Sequence, residues 1–158
     1  MHDAVSIRVA IVDVLVVREG AAGLELLLMR RAANTRCTGA WEVVHGRIEP
    51  GERPEQAAAR EVREETGLAP VKLYNVTLGG FYLHTAGVVA LSCVFCAFVD
   101  PAGAPTLGPE HDAWRWLPLA DAKAECAWPR EREAIDHVAH LFRLGADAGA
   151  VEDVLRVF

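Results

Sequence analysis

The densest chemistry in the chain lies in the stretch 46–68, GRIEPGERPEQAAAREVREETGL, where Glu52, Glu61, Glu64 and Glu65 crowd around Arg60. Carboxylates held this close repel one another. A cation relieves such a set, and hard divalent ions such as Mg²⁺ choose oxygen ligands. If residues 54–66 are helical, Glu61, Glu64 and Glu65 stand three and four apart and share a side. Ala58, Ala59, Val62 and Thr66 share another, where small alanines allow close approach to a sheet. Taken alone, REVREE also describes a solvated helix face laced with i,i+4 pairs. What argues for chemistry is the acidic helix together with Gly46, Glu52, Gly67 and Leu68 in fixed register.

Those side chains need a rigid frame, and the flanking sequence supplies one. Pro54 suits a first helical turn, where its missing N–H would have no partner in any case. Gly67 suits the left-handed residue that ends a helix. Before the helix, residues 5–17 (VSIRVAIVDVLVV) are β-branched and partly alternating, which predicts a strand. The turn 19–23 returns the chain as a second strand over 24–30, a hairpin pattern. Residues 31–40 form a polar loop, and 41–44 a short strand leading to His45. After the helix, strand segments are expected at 71–76 and 79–84, with Gly79-Gly80 as a bend. A long strand at 88–99, apolar enough to be buried on both faces, comes next. A loop at 100–108, a last strand at 113–117, helices at 118–127 and 129–144, and a short helix within 151–157 complete the order. Strands and helices mixed in this way predict an α/β fold, an α+β mixed sheet between helical layers.

A length of 158 residues with 52% hydrophobic content fits one domain, 1–158, with one core. A net charge of −6 argues against nucleic-acid binding through a basic face. It leaves room for an anionic small molecule, because bound metal reverses a local field. No apolar run is long enough for a bilayer span. The opening MHDAVSIRVA has no secretory pattern, so a cytoplasmic setting is expected. Cys93 and Cys96 mimic a CxxC, but three residues apart on a strand they point to opposite faces. They read as structural thiols, with a metal or redox pair as the alternative; Cys37 and Cys126 are the other two cysteines.

Gly46, then five residues, Glu52, then seven, then Arg60-Glu61-Val62-Arg63-Glu64-Glu65-Thr66-Gly67-Leu68 matches the Nudix box at every defined position. LLLMRR before the loop, Trp41 before the box and a tryptophan-rich last strand followed by helices also resemble that family. The resemblance implies the Nudix-type α/β/α sandwich and metal-dependent hydrolysis of a nucleoside diphosphate linked to another group. The ion would be Mg²⁺, with Mn²⁺ an alternative. It further implies Glu61 and Glu65 as metal ligands, Glu64 supporting them or binding a second ion, and the His45 carbonyl adding a ligand. Arg60, paired with Glu52, would orient the carboxylates. Bound metal lowers the pKa of water, and a carboxylate base would aid its attack on phosphorus. That base is either a box glutamate or Glu110, which precedes the last strand and is equally a candidate metal ligand. His111 beside it reads as an exposed loop histidine. Two positions depart from the family pattern. His45 stands where glycine is common, and Arg53 where Ser or Thr often caps the helix, weakening the cap by about 1 kcal/mol.

Substrate identity is less legible. The segments WEVVHGRIEPGE, EHDAWRWLPLADA and AWPREREAIDHV resemble the dihydroneopterin triphosphate diphosphatase branch. Nucleoside triphosphates, dinucleoside polyphosphates and nucleotide sugars remain open beside it. Phe81, Tyr82 and Trp128 are candidates for stacking on a ring, with the core as the competing place for each. Arg30, Arg31 and Arg36 are candidates for phosphate contact, Arg36 foremost because loops carry contacts. A nucleotide or other diphosphate is the expected partner; a homodimer is compatible with the sequence. The competing reading is a Nudix-fold module that senses a nucleotide without cleaving it. A prenyl diphosphate isomerase shares the fold but lacks an assignable cysteine and glutamate arrangement here.

Overall fold

The computed structural model describes residues 5–158; residues 1–4, part of the segment read for a leader, lie outside the described residues. Seven strands form one mixed sheet: β1 (Ser6–Gly20), β2 (Gly23–Arg31), β3 (Trp41–Glu42), β4 (Val44–Arg47), β5 (Lys72–Leu83), β6 (Val88–Phe98) and β7 (His111–Pro118). The main order is β3-β2-β1-β6-β5, with β4 added to β1 and β7 to β2. Among the described residues, only β1 and β6 run parallel. The helices are α1 (Pro54–Thr66), α2 (Leu119–Glu125), α3 (Pro129–Leu141) and a terminal turn α4 (Glu152–Leu155) after a 3₁₀ turn at Gly149–Val151.

The two-residue period of β1 explains the layering. Val12, Val14 and Val16 join Ala57, Ala58 and Val62 of α1 in one cluster. Leu15 and Val17 point the other way, joining Ala122 of α2 and Ile135 and Val138 of α3. The sandwich expected from the element order is therefore present. On the α3 side Tyr74, Phe98 and Phe142 pack edge to face, their centroids 4.9–5.7 Å apart. The Tyr74 hydroxyl donates to Glu152 at 2.9 Å, which ties the terminal turn to the core.

β1 changes partner along its length. Its residues 11–14 pair with β4, and residues 17–20 with β2. The sheet forks between those partners, and the fork explains a departure from the expected strand at 41–44. That strand breaks at Val43, whose N–H donates to Glu131 of α3 at 3.2 Å instead of to a neighbouring strand. His45 and Gly46 thereby fall inside β4.

Other expectations also shift. Gly79-Gly80 makes no bend, because β5 is continuous: its ladder with β6 runs across both glycines, and the irregularity falls at Val76. The β6 strand is buried on both faces only over residues 94–98; most of its first half is partly exposed. His111 is a buried member of β7, not an exposed loop residue. The C-terminal helix is only α4, after which Val157 donates to the Leu73 carbonyl at 2.8 Å as an extended segment beside β5. Cys93 and Cys96 are free and on opposite faces, as the strand reading required.

Phe142 is 5% exposed and closes the aromatic trio. Truncation to alanine removes both edge-to-face contacts and leaves a cavity, so Phe142→Ala is expected to cost about 3–5 kcal/mol. Urea unfolding checks this; a loss below about 1 kcal/mol would mean the helix α3 end is not packed as described.

Candidate active site

The acidic loop and helix are shaped by local rules. No side chain caps α1 from Arg53, as expected from its type. Gln56 compensates, since its side-chain oxygen accepts from the Arg53 backbone N–H at 2.9 Å, the reciprocal half of a capping box. Gly67 closes the helix in the left-handed region at φ 68°. Thr106 and Gly108 then donate backbone N–H groups to the carbonyls of Thr66 and Glu65. Those bonds fold the 100–108 loop against the helix end and bring Glu110 toward Glu65.

Arg60 organises the carboxylates. Its guanidinium donates to both oxygens of Glu52 at 2.9 Å, to Glu61 at 2.8 Å and to Glu64 at 3.2 Å. It also donates to the Arg47 carbonyl at 2.8 Å, and Glu52 accepts from the Glu49 N–H at 3.0 Å. One cation thus spans the loop, the end of β4 and the helix. The pairing of Arg60 with Glu52 is the one its spacing suggested. The hydrogen bond from Arg60 holds the Glu52 carboxyl below its ordinary range.

Glu65 lies outside this network. Its Oε2 is buried without a hydrogen-bond partner. Burial, then the charges of Glu61, Glu42 and Glu110, push its pKa up to about 9 against the weaker pull of Arg31. A carboxylate surrounded by carboxylates is a seat for a cation. The approach is kept open by Gly46, where a Cβ would come within 2.0 Å of the Glu61 carboxyl carbon. Among the described residues, no three carboxylate, histidine or cysteine side chains are already gathered around one point. The donors are all oxygens, and the unpartnered Glu65 oxygen beside Glu61 fits a hard divalent ion.

A second set of groups continues from Glu65. Arg31 donates to Glu110 at 2.6 Å and stands 3.6 Å from Glu42. Glu42 pairs with the His111 ring at 3.1 Å and accepts from the Trp128 indole at 3.0 Å. Beyond it, Asp13 is buried, meets the His45 ring at 2.6 Å, and accepts from Arg130 at 3.3 and 3.4 Å. Burial alone would raise the Asp13 carboxyl, but the His45 bond and the Arg130 charge outweigh it and hold it down to about 2. Burial disfavours protonated His45, yet the Asp13 bond outweighs this and lifts the imidazole above its ordinary value. The Arg130 guanidinium lies 4.9 Å from the Phe81 ring centroid and 5.3 Å from that of Trp128.

The structure therefore gathers Glu52, Arg60, Glu61 and Glu64 directly and brings Glu110 near Glu65. It turns the His45 side chain to the opposite side of the sheet from Glu61, leaving only its backbone for the acidic side. Phe81 and Trp128 meet around Arg130, while Tyr82 is exposed on the other face of β5. Arg30 pairs with Asp112 at 2.7 Å. Arg36 is exposed, and of the three arginine candidates it is Arg31 that reaches Glu110 and Glu42. Sequence reading did not find Asp13, Glu42, Arg130 or Glu131. The available signals were Asp13 inside the apolar run VAIVDVLVV of β1, Glu42 beside Trp41 ahead of the box, and the charged first turn after Trp128-Pro129.

A sequence profile described as the NUDIX domain matches residues 7–138. An octanoyltransferase of Myxococcus xanthus is 34% identical over 131 residues, covering 78% of this chain and 35% of that protein. The chain thus spans about a third of that relative's length. An RNA pyrophosphohydrolase of Brucella ovis is 30% identical over 128 residues, with 67% of this chain and 70% of that protein covered. Among solved structures, the MutT protein of Methanosarcina mazei Go1 superimposes with a TM-score of 0.67 at 27% identity, covering 86% of this chain and 94% of that one.

Glu65 also yields a test in stability. Its folded pKa of about 9 exceeds that of an unfolded carboxyl, so the folded, metal-free chain holds a proton that the unfolded chain has released. Stability should then fall as pH rises between about 4.5 and 9. Glu131, pushed by burial and the Asp13 charge up to about 8, acts with the same sign. The diagnostic quantity is therefore the difference between wild type and Glu65→Gln. Thermal melts across this range should slope less for the variant, and added Mg²⁺ should stabilise only the wild type at the alkaline end. Identical slopes and identical Mg²⁺ responses would remove Glu65 from the cation seat.

Proposed function

The chain belongs to the Nudix family, its NUDIX domain matched over residues 7–138, and from that premise we propose that it is a hydrolase of a diphosphate linkage in a nucleotide-like substrate. The family works with divalent cations, and Mg²⁺ is the proposed ion, Mn²⁺ the alternative. The single observation that carries the reading is the buried, unpartnered Glu65 oxygen facing the charges of Glu61, Glu42 and Glu110. Bound metal would neutralise the diphosphate and lower the pKa of the attacking water.

The chain's own residues divide the remaining work. Glu61 and Glu65 would hold the ion, Glu64 and the His45 carbonyl would add ligands, and Arg60 with Glu52 fixes the frame. Glu110 is the proposed base for water, held near Glu65 by its bond to Arg31. Arg31 is also the proposed phosphate contact, ahead of Arg30 and Arg36. Phe81, Trp128 and Arg130 form the proposed ring-binding side, since two aromatic rings and a guanidinium offer stacking and hydrogen bonds together. A base or a pterin suits that side, so nucleoside triphosphates and dihydroneopterin triphosphate lead the substrate classes. The pyrophosphohydrolase name of the Brucella relative supports phosphate-chain cleavage and adds triphosphate-ended RNA to the classes worth testing.

A non-catalytic nucleotide sensor is the second reading. The complete set of box carboxylates favours hydrolysis over it. The deciding experiment is phosphate and diphosphate release with Mg²⁺ across nucleoside triphosphates, nucleotide sugars, dinucleoside polyphosphates, capped or triphosphate RNA and dihydroneopterin triphosphate. Wild type should turn over at least one class. With that substrate, Glu61→Gln and Glu110→Gln should each reduce kcat by about 10²-fold or more, and Cys93→Ser should leave it unchanged. Tight nucleotide binding with no release from any class would select the sensor, and a small effect at Glu110 would return the base to the box.

A further inference from the structure

One side of the sheet is only half covered. α1 packs over Val12, Val14, Val16, Phe95 and Ala97. Past the N-terminus of that helix, β1, β6 and β5 continue together, and three cross-strand rows extend there: Ile7–Val89–Tyr82, Val9–Leu91–Gly80 and Val12–Cys93–Leu78. The register shift between Val9 and Ile11 is what aims Ile7 and Val9 to the same face as Val12. No charged side chain occurs in these rows. Ile7 is 69% exposed, Val9 56%, Leu78 64% and Tyr82 56%. A sheet face meant for water alternates polar residues outward; this one does not.

The apolar surface left bare is on the order of 500 Å², the upper end of what a single chain normally exposes. It runs on into a cavity of about 390 Å³ between Leu78 and Cys93 on the strands and Val154 and Val157 of the terminal segment, with the charged residues Arg53, Glu55 and Arg156 at its edge. We propose that this face is the interface between two copies of the chain, stacked sheet on sheet about a two-fold axis.

Three observations favour a second copy as the occupant. A two-fold contact needs a patch that fits itself, and a pleated, apolar sheet face can do so at the roughly 10 Å spacing of a β-sandwich. With a net charge of −6, copies repel through most of their surface, and these uncharged rows are where they can meet. Two such patches together bury on the order of 1,000 Å², the least that a stable interface requires, and the adjoining cavity gives a protruding side chain of the second copy a place to enter. A lipid surface is the weaker fit, since binding of that kind couples apolar side chains to free lysine and arginine; the rows carry neither, and the two arginines at the cavity, Arg53 and Arg156, are paired with Glu55 and Glu152.

The test is the mass of the full chain in solution, by light scattering on a sizing column at micromolar concentration, for wild type, Val9→Asp and Leu78→Asp. The expected result is a wild type of twice the 17.1 kDa chain mass. Each substitution should weaken the association by about 100-fold, giving a monomer with unchanged far-UV circular dichroism and unchanged phosphate release. The two positions lie on different strands, so if one variant does not fold the other still decides. A monomeric wild type overturns the proposal, and so does a dimer that both substitutions leave intact. Vesicles of phosphatidylcholine that bind a monomeric wild type, but not the variants, would assign the face to lipid and overturn it as well.

Discussion

The arrangement turns on one cation among acids. Arg60 reaches Glu52, Glu61, Glu64 and the Arg47 carbonyl at once, so the repulsion that would push the loop from the helix becomes the force that joins them. A lysine could not replace it, because only a planar guanidinium presents enough fixed donors to bridge three carboxylates and a carbonyl. The same network leaves Glu65 out. Neutralising every acid with protein cations would leave nothing for an external ion. Stabilising the frame through Arg60 while Glu65 stays buried and unpartnered keeps one strong demand for positive charge, aimed at the site.

The fork in the sheet gathers a second set of polar groups beside the acidic one. Where β1 leaves β4 for β2, the backbone at Val43 gives its N–H to Glu131. Glu131 is itself buried, and its other neighbours include the Cys126 thiol at 3.0 Å. The polar groups Glu42, His111, Trp128 and Arg130 collect at this fork because main-chain pairing is interrupted there and buried polar groups must find partners. The acidic side and the ring side are thus parts of one continuous polar seam, running from Glu65 through Arg31 and Glu42 to Arg130.

The acidic half of that seam was legible in the sequence because its geometry is local. Helical spacing places Glu61, Glu64 and Glu65, and turn residues place Glu52. The other half was not, since its partners are distant in the chain. Asp13 meets His45 across 32 positions and Arg130 across 117, while Glu42 meets His111 across 69. An isolated aspartate in an apolar strand says that something must pair with it, but not what. The strand and helix order was readable because each element carries its own period and punctuation. The errors fell where neighbours decide: Gly79-Gly80 stays extended because β6 supplies the ladder, and strand 41–44 breaks because α3 takes one of its donors.

His45 and Gly46 show how the two halves share a wall. Adjacent residues on a strand face opposite ways. Gly46 therefore faces the acidic side, where a side chain would collide with Glu61. His45 faces the other side, where Asp13 and Arg130 accommodate a full imidazole. A glycine requirement at one position and tolerance of a large polar residue at the next follow from this alternation alone. The departure from the family pattern at His45 is thus no disturbance of the acidic site. The His45 imidazole lies with Asp13 and Arg130, across the β4 backbone from the carboxylates.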